Sequence, residues 1–217
     1  LMSTTKSLMV MRPYQIYAVE NIIQHINSNN KNGYIWHTTG SGKTLTSFKA
    51  SQLIMNMPDI AKVLFVVDRN DLDTQTATEF NNFRADSVDS TNNTKTLVRQ
   101  LGQQHDKLIV TTLQKLNNAI SKDHYSDNIA YLKDQKVVFI FDECHRSQFG
   151  DTHKRIKQFF NKAQMFGFTG TPIFEKNSTS KAGLKLTTNY LFDKCLHQYV
   201  IVDAIRDKNV LPFQIDY

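Results

Sequence analysis

Cysteine is scarce in this chain. Its 217 residues hold two, Cys144 and Cys195, with no metal-ligand spacing around them, which excludes a disulfide-stapled scaffold and argues against a zinc site. Reduced, partly buried thiols in a cytoplasmic protein are the expectation. In that compartment Asn92-Asn93-Thr94 and Asn177-Ser178-Thr179 match glycosylation triplets by chance. Long apolar runs are missing too. The longest, such as Val63–Val67 and Val137–Phe141, have five residues, against the roughly 20 that a membrane-spanning helix needs. Leu1 to Val10 has no charged start followed by a long apolar stretch, so a signal peptide is not evident. No internal repeat is visible.

What is present describes a globular chain. With 40% hydrophobic residues and 11% aromatics, disorder is excluded, and the length fits one domain with a full core or a piece of something larger. The net charge is +6, a weak hint of a polyanionic partner. Between Cys144 and Lys162 the bases Arg146, Lys154, Arg155, Lys157 and Lys162 face Asp151 alone. A solvated helix face and a phosphate-contacting face explain that cluster equally well.

The chemistry concentrates in His37-Thr-Thr39-Gly40-Ser41-Gly42-Lys43-Thr44, placed between the apolar run Tyr34–Trp36 and an amphipathic stretch from Leu45 to Met57. A strand-to-helix turn of this kind is where a phosphate-binding loop belongs. Gly40 and Gly42 let the backbone curl so that its N–H groups point inward at phosphate oxygens, and the helix start adds positive potential. Lys43 would reach the β- and γ-phosphates, and the Thr44 hydroxyl would ligate Mg²⁺. His37 stands where the strict motif has glycine, so a flexible surface loop is the competing explanation. A second signal lies about a hundred residues on, in Val137-Val-Phe-Ile-Phe141-Asp142-Glu143-Cys144-His145. An apolar run ending in acids reads as a central parallel strand, with Asp142 able to hold Mg²⁺ and Glu143 able to deprotonate the attacking water. The plain alternative is a pair of acids capping the next helix. His145 does not read as a metal ligand, because no second histidine stands at ligand spacing.

Strand-like and helix-like segments alternate along the chain. Helices are expected from Pro13 onward, after the phosphate loop, at Asp71–Phe83, from Leu113 into Ala119, at Asp151–Asn161 and at Asp203–Lys208. Strands are expected at the phosphate-loop run, Lys62–Val67, Lys107–Thr111, residues 136–141 and Ala163–Phe168. The polar stretches Ala85–Lys95, Ser121–Asn128 and Glu175–Gly183 read as loops. The implied fold is α/β, a mostly parallel sheet with helices on both faces.

Six short segments stand in the order found in the first motor lobe of superfamily 2 helicases and translocases, which the chain resembles. Arg12-Pro-Tyr14-Gln15 resembles the adenine-reading element. Val66-Val-Asp68-Arg69 and Val110-Thr111-Thr112-Leu-Gln114 resemble segments that meet the nucleic-acid backbone. The phosphate loop and Asp142-Glu143-Cys144-His145 complete the ATP side, and Gly167-Phe-Thr169-Gly170-Thr171-Pro172 resembles the coupling motif. More narrowly, Tyr34–Thr44, Phe65–Arg69, Asp142–Gly150, Gly167–Ile173 and Asp203–Leu211 resemble the restriction (R) subunit of type I restriction–modification enzymes, over about Arg12 to Tyr217.

That resemblance implies a RecA-like ATP-binding lobe at 12–200, preceded by a leader at 1–11 and followed by an exit segment at 201–217 toward a second motor lobe of the same polypeptide. It also implies ATP and Mg²⁺ as cofactors, double-stranded DNA as the track, and methyltransferase and specificity subunits as partners. The family has an upstream nuclease and arginine fingers on its second lobe. Neither is found in these residues, so slow turnover is the expectation, because a missing finger costs ~10³–10⁵ in rate. Another superfamily 2 helicase acting on DNA or RNA, and a non-catalytic nucleic-acid-binding module, remain as alternatives.

Overall fold

The computed structural model describes residues 10–67, 94–142, 144, 149–177, 180–181, 184–185 and 187–211. The helix expected at Asp71–Phe83, together with Arg69, Glu143, His145 and Arg146, lies outside them. The first helix, α1 (Pro13–Ser28), opens with proline at its first turn, where the missing N–H costs nothing. Strand β1 (Gly33–His37), the phosphate loop and α2 (Lys43–Ile54) follow, then β2 (Lys62–Val67). After the undescribed stretch come α3 (Thr94–Gly102), β3 (Leu108–Thr112) and α4 (Leu113–Ser121). Next are β4 (Val137–Phe141), α5 (Phe149–Phe159) and β5 (Ala163–Thr169). Two short antiparallel strands, β6 (Ser180–Lys181) and β7 (Leu184–Lys185), lead to α6 (Thr188–Phe192), β8 (Cys195–Tyr199) and α7 (Ile201–Arg206).

Six strands form one parallel sheet in the order β3-β2-β4-β5-β1-β8. β5 is therefore inserted between β1, which feeds the phosphate loop, and β4, which ends at Asp142. Trp36 is level with Thr169 and Phe141 with Gly167, so all three strands deliver their C-terminal ends to one edge. A parallel sheet places its ligand chemistry at that edge. Alternate residues of β4 supply both layers of the core. Val138 and Ile140 pack with Val19, Ile22 and Phe48 under α1 and α2. Phe139 and Phe141 pack on the opposite face with Leu116, Ile156 and Phe160 under α4 and α5. Phe139 is fully buried, and truncating such a side chain costs about 3–5 kcal/mol.

Several expectations from the sequence shift. Ser121–Asn128 is not a loop: Asp123–Ser126 is helical and continues into a 3₁₀ turn at Asp127–Leu132, whose Ile129 and Leu132 are buried. Of Ala85–Lys95, the two described residues, Thr94 and Lys95, begin α3. Of Glu175–Gly183, Glu175–Asn177 is a 3₁₀ turn and Ser180–Lys181 a strand. The last two helices begin two residues earlier than read, at Phe149 and Ile201. β8 is a sixth strand that no apolar run announced. Ala204 of α7 is buried, while Ile201 and Val202 are exposed.

Candidate active site

Gly40 and Gly42 take left-handed backbone angles, φ +77° and +75°. Gly42 is the N-cap of α2. A side chain there would be strained, and a Cβ would also lie 2.6 Å from the Gln15 amide nitrogen. That amide explains the close approach. Gln15 Nε2 donates to the carbonyl of Ser41 at 3.0 Å and to that of Gly42 at 3.4 Å, while its Oε1 accepts from the Arg12 N–H at 2.8 Å. The Tyr14 hydroxyl donates to the same Ser41 carbonyl at 2.8 Å. Gln15 is buried and Arg12 exposed. The residue read as an adenine contact is thus committed to the backbone of the phosphate loop, a role the motif alone did not reveal.

The two halves of the site meet. Thr44 Oγ1 donates to Asp142 Oδ2 at 3.0 Å, joining residues that are 98 apart in sequence. Asp142 is held at the tip of β4 by its N–H to the Val66 carbonyl at 3.1 Å. Lys43 is buried. The segment read as a coupling motif lies against it: a Cβ on Gly170 would lie 3.4 Å from Lys43 Nζ, 3.4 Å from Thr39 Oγ1 and 3.3 Å from the His37 carbonyl. Thr169 Oγ1 accepts the Thr171 N–H at 3.1 Å, and the Trp36 indole N–H donates to the Gly170 carbonyl at 3.3 Å. Thr39, Gly40, Ser41, Gly42, Lys43, Thr44, Asp142, Thr169, Gly170 and Thr171 therefore form one constellation around an exposed loop. Its donors suit a phosphate chain and a hard cation: left-handed glycines, a buried ammonium, a hydroxyl and a carboxylate.

The SWI2/SNF2 ATPase family model matches residues 14–217. The type I restriction enzyme SsaAORF53P endonuclease subunit of Staphylococcus saprophyticus is 55% identical over 217 residues, covering 100% of this chain and 23% of that protein. In Mycoplasma pneumoniae, the C-terminal part of the putative type I restriction enzyme MpnIIP endonuclease is 46% identical over 170 residues, covering 72% of this chain and 82% of that one. The chain belongs to the SWI2/SNF2 ATPases of type I restriction endonuclease subunits. It spans less than a quarter of the length of the staphylococcal relative. Among solved structures, a nuclease-deletion mutant of the type ISP restriction–modification enzyme LlaGI shares the fold with TM-score 0.65, at 22% identity over 93% of this chain and 21% of that one. The UvsW helicase of bacteriophage T4 aligns with TM-score 0.55, at 18% identity over 89% of this chain and 62% of that one. The architecture is a RecA-like lobe.

In this ATPase lobe His37, the residue at the irregular loop position, is fully buried. Its Nε2 lies 2.9 Å from Nδ1 of His197. Burial first, then His197 and Lys43, hold its pKa down at about 3; burial lowers that of His197 as well. Tyr14 stacks on Tyr199, ring centres 3.7 Å apart and 5° from parallel. A cavity of about 790 Å³ opens beside that stack, lined by Arg12, Tyr17, His197, Asp203 and Arg206 among others. Sequence reasoning missed His197 and Tyr199 because their partner, the loop entry, is some 160 residues away.

Thr111 and Thr112 end β3, at the edge of the sheet, and both are buried. Thr112 Oγ1 accepts the Lys115 N–H at 3.3 Å and so caps α4. Gln114, in the first turn of α4, is exposed. On α5, Lys154, Arg155 and Lys157 are exposed, and Arg155 Nη1 reaches Ser121 Oγ at 3.5 Å. Among the described residues no helix is long and apolar enough to cross a membrane.

Proposed function

We propose that this chain is the ATP·Mg²⁺-binding lobe of an ATP-dependent motor that translocates double-stranded DNA, within the endonuclease subunit of a type I restriction enzyme. The Thr44–Asp142 hydrogen bond carries the reading. A hydroxyl at the helix start and a carboxylate at a strand tip would hold Mg²⁺ between them, and the loop of Gly40, Ser41 and Gly42 would take the phosphates. Lys43 adds the cation, and bound Mg²⁺ would neutralise phosphate charge. Glu143, next in sequence to Asp142, is the base assigned to the attacking water. His145, Thr169, Gly170 and Thr171 are assigned to coupling.

The DNA side rests on family and fold. The LlaGI mutant was solved with a DNA substrate mimic, and a Sulfolobus solfataricus SWI2/SNF2 ATPase core with double-stranded DNA, at TM-score 0.50. Arg69, Thr111, Thr112 and Gln114 are assigned to that side here, Gln114 being the exposed one among those described. Residues 12–200 form the lobe, and 201–217 lead from it toward a second lobe. The methyltransferase and specificity subunits are the partners of the whole enzyme, which works in the cytoplasm.

Calorimetric titration tests the core of this reading. ATP should bind saturably with Mg²⁺ and far more weakly in excess chelator, and Lys43→Ala should abolish the Mg²⁺-dependent component. Equal binding by Lys43→Ala and the parent would overturn it.

A further inference from the structure

β8 is an edge strand, and three of its residues beyond Cys195 are partly or fully exposed. An edge strand needs only its ladder to belong to the sheet. This one does more, because it grips the entry of the phosphate loop by both side chain and backbone. His197 Nδ1 lies within hydrogen-bond distance of His37 Nε2, at 2.9 Å. The Tyr199 carbonyl accepts the Thr38 N–H at 2.9 Å. The Tyr199 ring lies flat against Tyr14, whose hydroxyl holds the Ser41 carbonyl. The buried His37 ring sits in the box these make, meeting Tyr14, His197 and Tyr199 edge-on at centroid distances of 5.4, 5.1 and 6.0 Å.

The grip continues away from the loop. The Tyr199 hydroxyl donates to Asp207 Oδ2 at 3.1 Å and accepts from Asn209 Nδ2 at 2.6 Å. One tyrosine therefore touches the loop entry with its ring and carbonyl, and the turn after α7 with its hydroxyl. Glycine at position 37 would leave only the backbone bond and the tyrosine stack; histidine there gives β8 a side chain to hold as well.

We infer that His197 and Tyr199 are positioning residues for the phosphate loop, fixing its entry through His37, Thr38 and Tyr14 and linking it to the turn at 207–209. Their contacts run to the loop's entry and not to Lys43, Thr44 or Asp142. Both set the loop assigned to the phosphates, so the inference rests on the nucleotide-site reading above. Removing either side chain leaves Lys43, Thr44 and Asp142 in place, and the Thr38–Tyr199 backbone bond with them, but takes away a side-chain contact that holds the loop's entry. Binding by a loop that must first be ordered is weaker by the fraction of time it is ordered.

The test is calorimetric affinity for Mg²⁺ with a non-hydrolysable ATP analogue, alongside ligand-free melting. His197→Ala and Tyr199→Leu should each weaken binding about tenfold, the scale of one lost hydrogen bond or ring contact. His197→Asn, which keeps a polar atom near Nδ1, and Tyr199→Phe, which keeps the ring, should stay within about threefold. A purely structural role would lower the melting temperature and leave the affinity of the folded protein unchanged, and that result overturns the inference. The parent protein supplies a second measurement that needs no variant to fold. Analogue binding should slow amide exchange at Leu196–Asn209 as well as in the loop, and protection confined to residues 38–46 overturns the inference. If the parent binds no nucleotide, the underlying site assignment fails, an outcome distinct from variants that bind as well as the parent.

Discussion

Thr44 Oγ1 donates to Asp142 Oδ2 across 3.0 Å, and this bond brings the end of β4 onto the start of α2. Neither group is deeply sealed; both are half-buried and open to the loop's solvent side. A hydroxyl and carboxylate so placed are ready to share a hard cation. Thr44→Val and Asp142→Asn should each reduce Mg²⁺-dependent ATP affinity about 10–100-fold, as loss of a metal-site group commonly does. Affinity measured in chelator should change little. Equal losses with and without Mg²⁺ would show that the pair holds the loop and not the metal.

Gly40 and Gly42 share nearly the same backbone angles but have different surroundings, so alanine at each should behave differently. At Gly40 nothing lies within 4 Å of an added Cβ, and the cost is the left-handed backbone alone, roughly 1–2 kcal/mol. At Gly42 the added carbon would displace the Gln15 amide and break its bonds to the loop carbonyls, adding about 1 kcal/mol or more. Urea denaturation should rank Gly42→Ala below Gly40→Ala. Gln15→Ala should narrow that gap by removing the obstructing group.

The contrast between these glycines also marks what a sequence can reveal. Gly-Ser-Gly-Lys-Thr and the apolar run ending in Asp142 were legible because each is local: a turn chemistry and a buried strand leave their own pattern. The strands at Lys62–Val67 and Val137–Phe141 were legible for the same reason, being buried on both faces. β8 was not. Its Cys-Leu-His-Gln-Tyr run shows no apolar block because the strand lies at the sheet edge, with only Tyr199 of the five residues fully buried. The contacts of Gln15 and His197 were illegible for another reason. They depend on which distant backbone a polar side chain meets, and no periodicity encodes that.

Lys62 begins β2 with its side chain buried, and its ammonium donates to the carbonyls of Gln100, Gln103 and Asp106. These carbonyls belong to the end of α3 and the turn into β3, so a single cation closes the C-terminus of that helix. Lys62→Met fills the space but leaves the carbonyls without their donor. The expected loss is about 1–3 kcal/mol in urea denaturation. ATP affinity of the folded protein should be unchanged, since Lys62 sits at the edge of the sheet opposite the phosphate loop. A loss below roughly 1 kcal/mol would mean that other donors replace it.

Acid should destabilise the lobe well before its carboxylates titrate. Burial, then neighbouring His197 and Lys43, holds His37 at about 3. Burial, then Lys157, holds His153 at about 4. In the unfolded chain both imidazoles return to the ordinary value near 6.5. Between those limits the unfolded state binds protons that the folded state refuses, so stability rises with pH. The contribution is full above about 6.5 and is lost as pH falls toward 4 and then 3, at about 1.4 kcal/mol per pH unit for each residue. Urea denaturation at pH 7.5, 6.0 and 5.0 should show this decline. His153→Gln, which cannot take up the proton in either state, should reduce the slope by about half if the two histidines dominate it. An unchanged slope in that variant would show that His153 is not held neutral by its site, and a flat profile in the parent from pH 7.5 to 5.0 would show that neither imidazole is.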